Sequence, residues 1–466
     1  MSNMVKILLV NPKPLEAYTV YGPSLGLCYL SSYLKMHGFS DIEGIDLNID
    51  GDDALDAAIR RADVVGIYCS TKALRPALRA AREAKDAGKI VVLGGPHPSV
   101  LPEEVLRREE VDFVILSEGE ASFLQLVQAL GTGSDYTGID GFGYKDSSGR
   151  LVINPRTKYI EDLDIIPFPD RNLFRFDQSR MITFCATRGC PYKCANCQPA
   201  LSLQTCAFRM RSVDNVITEL KQIAPGKIVH FIDNDLTVNK KWIRALCTKI
   251  IEEGLKFTWG CQGRVNTLDR EIMSLMKRAG CVNIGVGIES GSQQLLDNFL
   301  HKQLSLEKAR KVVAESLEAK MPLHGWFIIG IPSETREDME KTIQFALSQP
   351  FATVGFSIGT PWPGTMFHAV SSEKGWIVAD SWEDFNEKRF SRLKTPEWGP
   401  DDIATARERI IAEFRKKKWI VDAEDFVFID PAWGKVGLAA YLARTRARIA
   451  QVRRRMMKRF FGRLEL

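Results

Sequence analysis

Nowhere does this chain carry a run of about 18 apolar residues, so no membrane-spanning helix is expected. The opening stretch, Met1-Ser-Asn-Met-Val-Lys-Ile-Leu-Leu-Val10, has no basic segment followed by a long apolar one. It reads as running into a strand rather than as a secretory signal. The ten cysteines do not form a disulfide framework, since three are clustered and most others lie in apolar segments. A reducing, cytoplasmic setting is therefore expected. No basic stretch interleaved with aromatics is present to track a nucleic-acid strand, so no specific nucleic-acid partner is expected.

What is present is the composition of a globular protein: 45% hydrophobic and 26% charged residues over 466 positions, enough for two or three domains. The net charge of +5 is unevenly placed. Tyr441 to Leu466 holds eight Arg and one Lys against one Glu, so the rest of the chain is slightly acidic. Within Leu438 to Phe461, apolar Ile449, Val452, Met456 and Phe460 recur at helical spacing among arginines. Such a helix can lie peripherally on the inner surface of an anionic membrane; the alternative is a solvated basic tail.

The densest chemistry lies in Cys185-Ala-Thr-Arg-Gly-Cys190-Pro-Tyr-Lys-Cys194-Ala-Asn-Cys197. Met181 to Thr187 reads as a strand, Arg188-Gly189 turns the chain, and Pro191 keeps the loop out of helix. Cys190, Cys194 and Cys197 thus share one short loop. Three thiolates there suit a metal or an iron–sulfur cluster. A structural zinc site would need a fourth ligand, for which Cys185, inside the strand, and Cys206 are the nearby choices. A [4Fe–4S] cluster on three cysteines would leave one iron open to a small molecule.

Ahead of this loop, strands and helices alternate. Strands are expected at Val5–Val10, Asp41–Leu47, Asp63–Tyr68, Ile90–Leu93 and Val111–Leu116. Helices are expected at Gly26–His37, Ala54–Arg61, Leu74–Ala87, Leu101–Arg108 and Ala121–Leu130. The alternation implies a doubly wound parallel sheet of flavodoxin or Rossmann type over 1–135, whose ligands bind beyond the strand carboxyl ends. The loops there are small: Gly22-Pro-Ser24, Cys69-Ser70-Thr71, Gly94-Gly95 and Ser117-Glu118-Gly119. Ordinary turn glycines are the plain alternative. Residues 136–180 read as a connector with a small hairpin.

From 181 to 375 six further βα units follow, with Cys190, Asp233, Asp235, Arg264, Glu289 and Gly330 at or just beyond strand carboxyl ends. This is a partial (βα)6 barrel, whose functional residues belong at those ends. Rim salt bridges or helix caps are the alternative for each charged residue. Arg209-Met-Arg211-Ser212, just before a helix, could meet an anion. Residues 376–466 read as mainly helical.

Arg188-Gly-Cys190-Pro-Tyr-Lys-Cys194-Ala-Asn-Cys197 resembles the signature of the radical S-adenosylmethionine superfamily. The resemblance implies a [4Fe–4S] cluster on Cys190, Cys194 and Cys197, with S-adenosylmethionine chelated at the open iron and cleaved reductively to a 5′-deoxyadenosyl radical. It further implies Glu289 at the ribose or methionine of that cofactor, Gly330 beside the adenine, and Asp233 with Asp235 as an acidic pair after the second barrel strand. Arg264 would neutralise a carboxylate, and Tyr192 would pack on the cofactor. Asn196 departs from the pattern, which usually has an aromatic residue there.

Pro23-Ser-Leu-Gly-Leu27, Asp63-Val-Val-Gly-Ile67, Gly94-Gly-Pro-His-Pro98 and Ser117-Glu-Gly-Glu120 resemble the cobalamin-binding domain found ahead of many such barrels. The resemblance assigns Ser70, Thr71, Gly94, Gly95, Glu118 and Gly119 to cobalamin. No Asp-x-His-x-x-Gly follows the first strand, so no histidine stands at the usual lower axial position. His97 is the remaining candidate, and a structural histidine is its alternative.

The implied function is cobalamin-dependent radical C-methylation of a small-molecule substrate, with methylcobalamin as methyl donor and a second S-adenosylmethionine restoring it. An external one-electron reductant of flavodoxin or ferredoxin type would be its partner. Two alternatives remain: a radical cyclase, rearrangement or oxidation enzyme like those of tetrapyrrole biosynthesis, or a non-catalytic cobalamin or redox sensor. A methylthiotransferase is disfavoured, because no second cysteine triad precedes the barrel.

Overall fold

A computed structural model of the chain describes residues 5–13, 24–174, 181–197, 208–222, 227–430 and 433. Gly22, Pro23, Cys206 and the basic helix expected over Leu438–Phe461 lie outside the described residues.

Ile7–Asn11 (β1), Ile42–Asp46 (β2), Val64–Tyr68 (β3), Ile90–Gly94 (β4) and Phe113–Ile115 (β5) pair in parallel in the order β2-β1-β3-β4-β5. Both faces of the sheet are covered, which is why its central strands are apolar throughout. Ile7 and Leu9 point to the helices Leu25–Met36 and Glu120–Thr132, while Leu8 and Val10 point to Asp52–Arg61 and Leu74–Asp86. The period-two alternation of a strand feeds both cores at once.

The segment read as a connector does more than link. Its hairpin, Phe142–Lys145 (β6) and Leu151–Asn154 (β7), pairs antiparallel with β5 and extends the sheet to seven strands. β5 would otherwise be a bare edge, and Phe142 stacks on Phe113 at 5.3 Å to cover it. Asp146 closes the hairpin turn by accepting from the backbone of Ser148 and Arg150.

Met181–Phe184 (β8) ends before Cys185, earlier than its sequence suggests. Thr187–Arg188 (β9) then pairs separately with Arg209–Met210 (β10). Ile228–Phe231 (β11), Thr258–Gly263 (β12), Cys281–Glu289 (β13), Leu323–Ile329 (β14) and Thr353–Ile358 (β15) follow β8 in chain order, all parallel. The six expected barrel strands are these.

Among the described residues of the C-terminal region, two short strands accompany the helix. After the helix Pro400–Lys416, Ile420–Asp422 (β16) and Val427–Ile429 (β17) fold back, and β17 pairs antiparallel with β15. The free edge of β15 needs backbone partners, and Phe428, stacked on Phe414 at 4.1 Å, adds apolar burial.

The carboxyl ends of the two parallel sheets meet. Arg188 at the head of the cluster loop contacts Glu118 at 2.9 Å and Glu120 at 2.5 Å, and Arg209 also pairs with Glu118. All four side chains are mostly buried, so losing one would strand a charge away from water.

Candidate functional site

Two cavities open beyond the carboxyl ends of the parallel strands. The first, about 450 Å³, lies between the N-terminal sheet and the barrel. Its N-terminal side includes Gly26, Gly94, Gly95, Ser117, Glu118 and Gly119, and its barrel side includes Cys185, Arg188 and Ile232. Gly95 has φ +116°, and a Cβ there would stand 2.8 Å from the Cys69 carbonyl oxygen, so only glycine fits. Gly94 and Gly119 have no atom nearer than 3.6 Å to such a Cβ, leaving the wall open for a broad ligand.

Ser70 and Thr71 are not among the described residues that line this cavity. Thr71 instead holds His97, Oγ1 to Nδ1 at 3.1 Å. His97 is wholly buried, which lowers its pKa, and its Nε2 lies 3.7 Å from a Glu104 oxygen. It too is absent from the lining. Glu118 lines the cavity but is engaged by the two arginines.

The second cavity, about 420 Å³, opens inside the barrel. Cys190, Tyr192, Cys194, Cys197, Asp235, Arg264 and Glu289 all line it. The Arg264 guanidinium stacks on the Tyr192 ring at 3.7 Å and reaches the Cys194 sulfur at 3.5 Å. Its other nitrogen donates to the Lys302 carbonyl. Cys185 is not with the triad: burial pushes its thiol up to about 12, and its sulfur donates to the Thr187 carbonyl.

Glu289 sits at φ +70°, a rare conformation for a residue with a side chain, just past a register shift between β13 and β14. The shift turns its carboxylate onto Lys302 at 2.6 Å, with both side chains buried. Burial works to lower the Lys302 pKa, but Glu289 and Cys194 outweigh it and hold the ammonium above its ordinary value. Gly287 makes room for the pair: a Cβ there would stand 2.3 Å from a Glu289 oxygen. Nothing local in the sequence marks Lys302, which lies in a loop 13 residues from its partner.

Asp233 and Asp235 behave differently from each other. Asp233 is fully engaged in accepting from the Ala186 and Thr187 amides and the Thr187 hydroxyl, which anchors the chain entering the cluster loop. Burial raises its pKa to about 6. Asp235 holds Thr237 with one oxygen, and its other oxygen is buried without a partner, as is the Asn196 side-chain oxygen.

Gly330 does not line the cavity; its amide donates to Glu334, whose second oxygen is buried and unpartnered. Burial raises the Glu334 pKa to about 8. A raised carboxyl stabilises the fold fully below its unfolded pKa and loses that contribution as pH climbs through about 8. Glu334→Gln is therefore expected to remove a loss of melting temperature between pH 5 and 8, roughly a few degrees. Thermal melts of both proteins across that range check this; parallel pH profiles would refute it.

Comparisons with known proteins match both sheet-bearing parts of the chain. The profile of the B12 binding domain matches residues 15–127, and that of the radical SAM superfamily matches residues 184–346. An uncharacterized methyltransferase of Pyrococcus horikoshii is 33% identical over 400 residues, covering 82% of this chain and 86% of its own. The chain belongs to the radical S-adenosylmethionine enzymes that carry a cobalamin-binding domain.

Within this family, an anaerobic magnesium-protoporphyrin IX monomethyl ester cyclase of Rubrivivax gelatinosus is 27% identical over 84% of this chain and 73% of its own. In fold, the chain resembles the radical S-adenosylmethionine methyltransferase TsrM of Kitasatospora setae. That match has a TM-score of 0.74 at 17% identity and covers 97% of this chain and 99% of that one. The cofactors of this radical S-adenosylmethionine enzyme are a [4Fe–4S] cluster, S-adenosylmethionine and cobalamin.

The residues present fit these groups. Among the described residues no three His, Cys, Asp or Glu side chains converge on a single-ion site. A cubane does not require it, because each thiolate binds a different iron. The unpartnered oxygens of Asp235 and Asn196, on residues of the cluster cavity, are acceptors waiting for donors. The glycine-lined wall of the first cavity suits a broad, flat group. Among the described residues no helix is long and apolar enough to cross a membrane.

Proposed function

We propose that this enzyme transfers a methyl group to an unactivated carbon of a small-molecule substrate held where the two cavities adjoin. The observation that carries this reading is that Asn234 lines both cavities. One molecule beside it can therefore face the cluster side and the corrinoid side. When bound, the cluster with S-adenosylmethionine supplies hydrogen abstraction, and the corrinoid supplies a transferable methyl group. A one-electron reductant of flavodoxin or ferredoxin type is the external partner this chemistry needs.

The chain's own part is placement. Cys190, Cys194 and Cys197 would hold the cluster, with the Arg264 cation beside Cys194. Glu289, paired with Lys302, would accept from the hydroxyl or amino groups of S-adenosylmethionine, and Asp235 would accept alongside it. Asp233 positions the loop through its backbone bonds. Gly94, Gly95 and Gly119 would lie against the corrinoid. The buried ion pairs of Arg188 and Arg209 with Glu118 and Glu120 hold the two cavities in register. Trp326, Trp362 and Phe367 on the cluster cavity wall would exclude water from the reacting carbon.

The test uses reconstituted enzyme, a low-potential reductant, and S-adenosylmethionine carrying a heavy-isotope methyl group, with a protein-free small-molecule extract as substrate source. Mass spectrometry should find a metabolite that gains the labelled methyl only when corrinoid is loaded. Consumption of S-adenosylmethionine with an unlabelled, cyclised or oxidised product would instead favour chemistry of the cyclase kind.

A further inference from the structure

We propose, resting on the reading above, that Asn234 is a substrate-contacting residue. Its partner would be an uncharged hydrogen-bonding group, an amide, lactam or alcohol, close to the reacting carbon of a largely apolar substrate.

The placement of Asn234 comes from the end of β11. Burial alternates along Phe231-Ile-Asp-Asn-Asp235: Phe231, Asp233 and Asp235 are inside, and Ile232 and Asn234 are exposed. The inward carboxylates are bound to protein backbone and hydroxyls. The outward pair faces the cavities. Ile232, 41% exposed, lines the corrinoid cavity, and Asn234 lines both. An open Ile and an open Asn at one strand end, between two buried carboxylates, is a surface shaped for a ligand rather than for folding.

No hydrogen bond to another described residue engages the Asn234 side chain, and the same holds for Gln262, the other amide on the cluster cavity wall. Of the charged groups on this wall, Glu289 pairs with Lys302, Glu387 pairs with Lys72, Arg264 stacks on Tyr192 and reaches Cys194, and the open oxygen of Asp235 is assigned above to S-adenosylmethionine. What the protein offers a substrate here is therefore neutral donors and acceptors. The facing wall is aromatic, with Trp326 and Trp362. An apolar body with one uncharged polar group matches this wall. A fully charged substrate would lose hydration without gaining a counter-charge.

The test compares holoenzyme with Asn234→Ala and Asn234→Asp. The probe is a protein-free small-molecule extract from cells grown in heavy water, given with unlabelled S-adenosylmethionine and reductant. Deuterium appearing in 5′-deoxyadenosine reports hydrogen taken from a substrate, whatever then happens to the substrate carbon. Iron content and the corrinoid absorbance are read on the same samples.

The expected result is that the deuterated fraction of 5′-deoxyadenosine falls at least about tenfold in both variants, while iron and corrinoid stay within about twofold of the parent. An unchanged deuterated fraction in Asn234→Ala overturns the proposal. So does a matching loss of corrinoid, which would make the amide a cobalamin contact. Deuterium transfer in the parent here, with no labelled methyl product in the separate heavy-isotope methyl experiment above, would defeat the methyl-transfer reading and leave the Asn234 comparison decisive on its own terms.

Discussion

Cys194→Ala is expected to remove the iron–sulfur centre and with it all cleavage of S-adenosylmethionine. The thiol lies on the loop Cys190–Cys197 beside the Arg264 guanidinium, 3.5 Å from its nitrogen. Two remaining thiolates cannot hold a cubane that needs three and leaves its fourth iron for cofactor. Iron should fall from about four per chain to below about one, and cleavage by at least about a thousandfold. The fold should survive, because Cys194 is only partly buried on a loop, and such substitutions typically cost about 1 kcal/mol or less. Corrinoid content, measured on the same preparation, should not change. Cleavage persisting in this variant would rule out the triad as the cluster site.

The mirror experiment is Gly94→Leu. Gly94 ends β4 on the wall of the first cavity, and a Cβ there meets nothing closer than 3.8 Å. The backbone therefore accepts a side chain, but that side chain must occupy the cavity. Corrinoid loading should drop to below about a tenth of the parent, because a planar ligand cannot yield to a wall that has grown inward. Iron content should remain, since the cluster loop belongs to the other cavity. Full corrinoid loading in Gly94→Leu would move the cobalamin site elsewhere. Gly95 is a poor choice for the same test, because its φ of +116° and the nearby Cys69 carbonyl would strain any replacement and confuse misfolding with lost binding.

Much of this molecule was legible in local pattern. The apolar runs of β1, β3 and β4 and the amphipathic helices between them determine a parallel sheet. Their buried faces repeat with the periods of strand and helix, which any reader of the chain can count. The triad Cys190, Cys194 and Cys197 was legible for the same reason: its meaning lies in spacing along one loop. Six parallel strands in chain order followed from six repeats of one local unit.

The pairings across the fold were not legible. Arg188 meets Glu118 and Glu120 across 70 and 68 residues, and Arg209 meets Glu118 across 91. Nothing in local composition distinguishes those arginines from surface ones, and the sequence offered an anion site for Arg209 instead. The β6–β7 hairpin and the β16–β17 return were hidden for a related reason. Short strands join a sheet because an edge needs hydrogen-bond partners, a demand created only once the sheet exists.

The sequence by itself determined the cluster loop and, through its family resemblances, which cofactors to expect, because a cluster motif and a row of small loops are local statements. Only the tertiary structure decided which side chains face those cofactors and which serve the frame. Asp233 and Asp235 look alike in the chain, yet the first is bound to the Ala186 and Thr187 backbone and the second keeps an unpartnered oxygen on the cluster cavity residue. Lys302 joined Glu289, and Asn234 came to stand on the wall of both cavities. The physical reason is that burial and partnership are properties of packing: a charge or an amide acquires its role from what the fold brings against it.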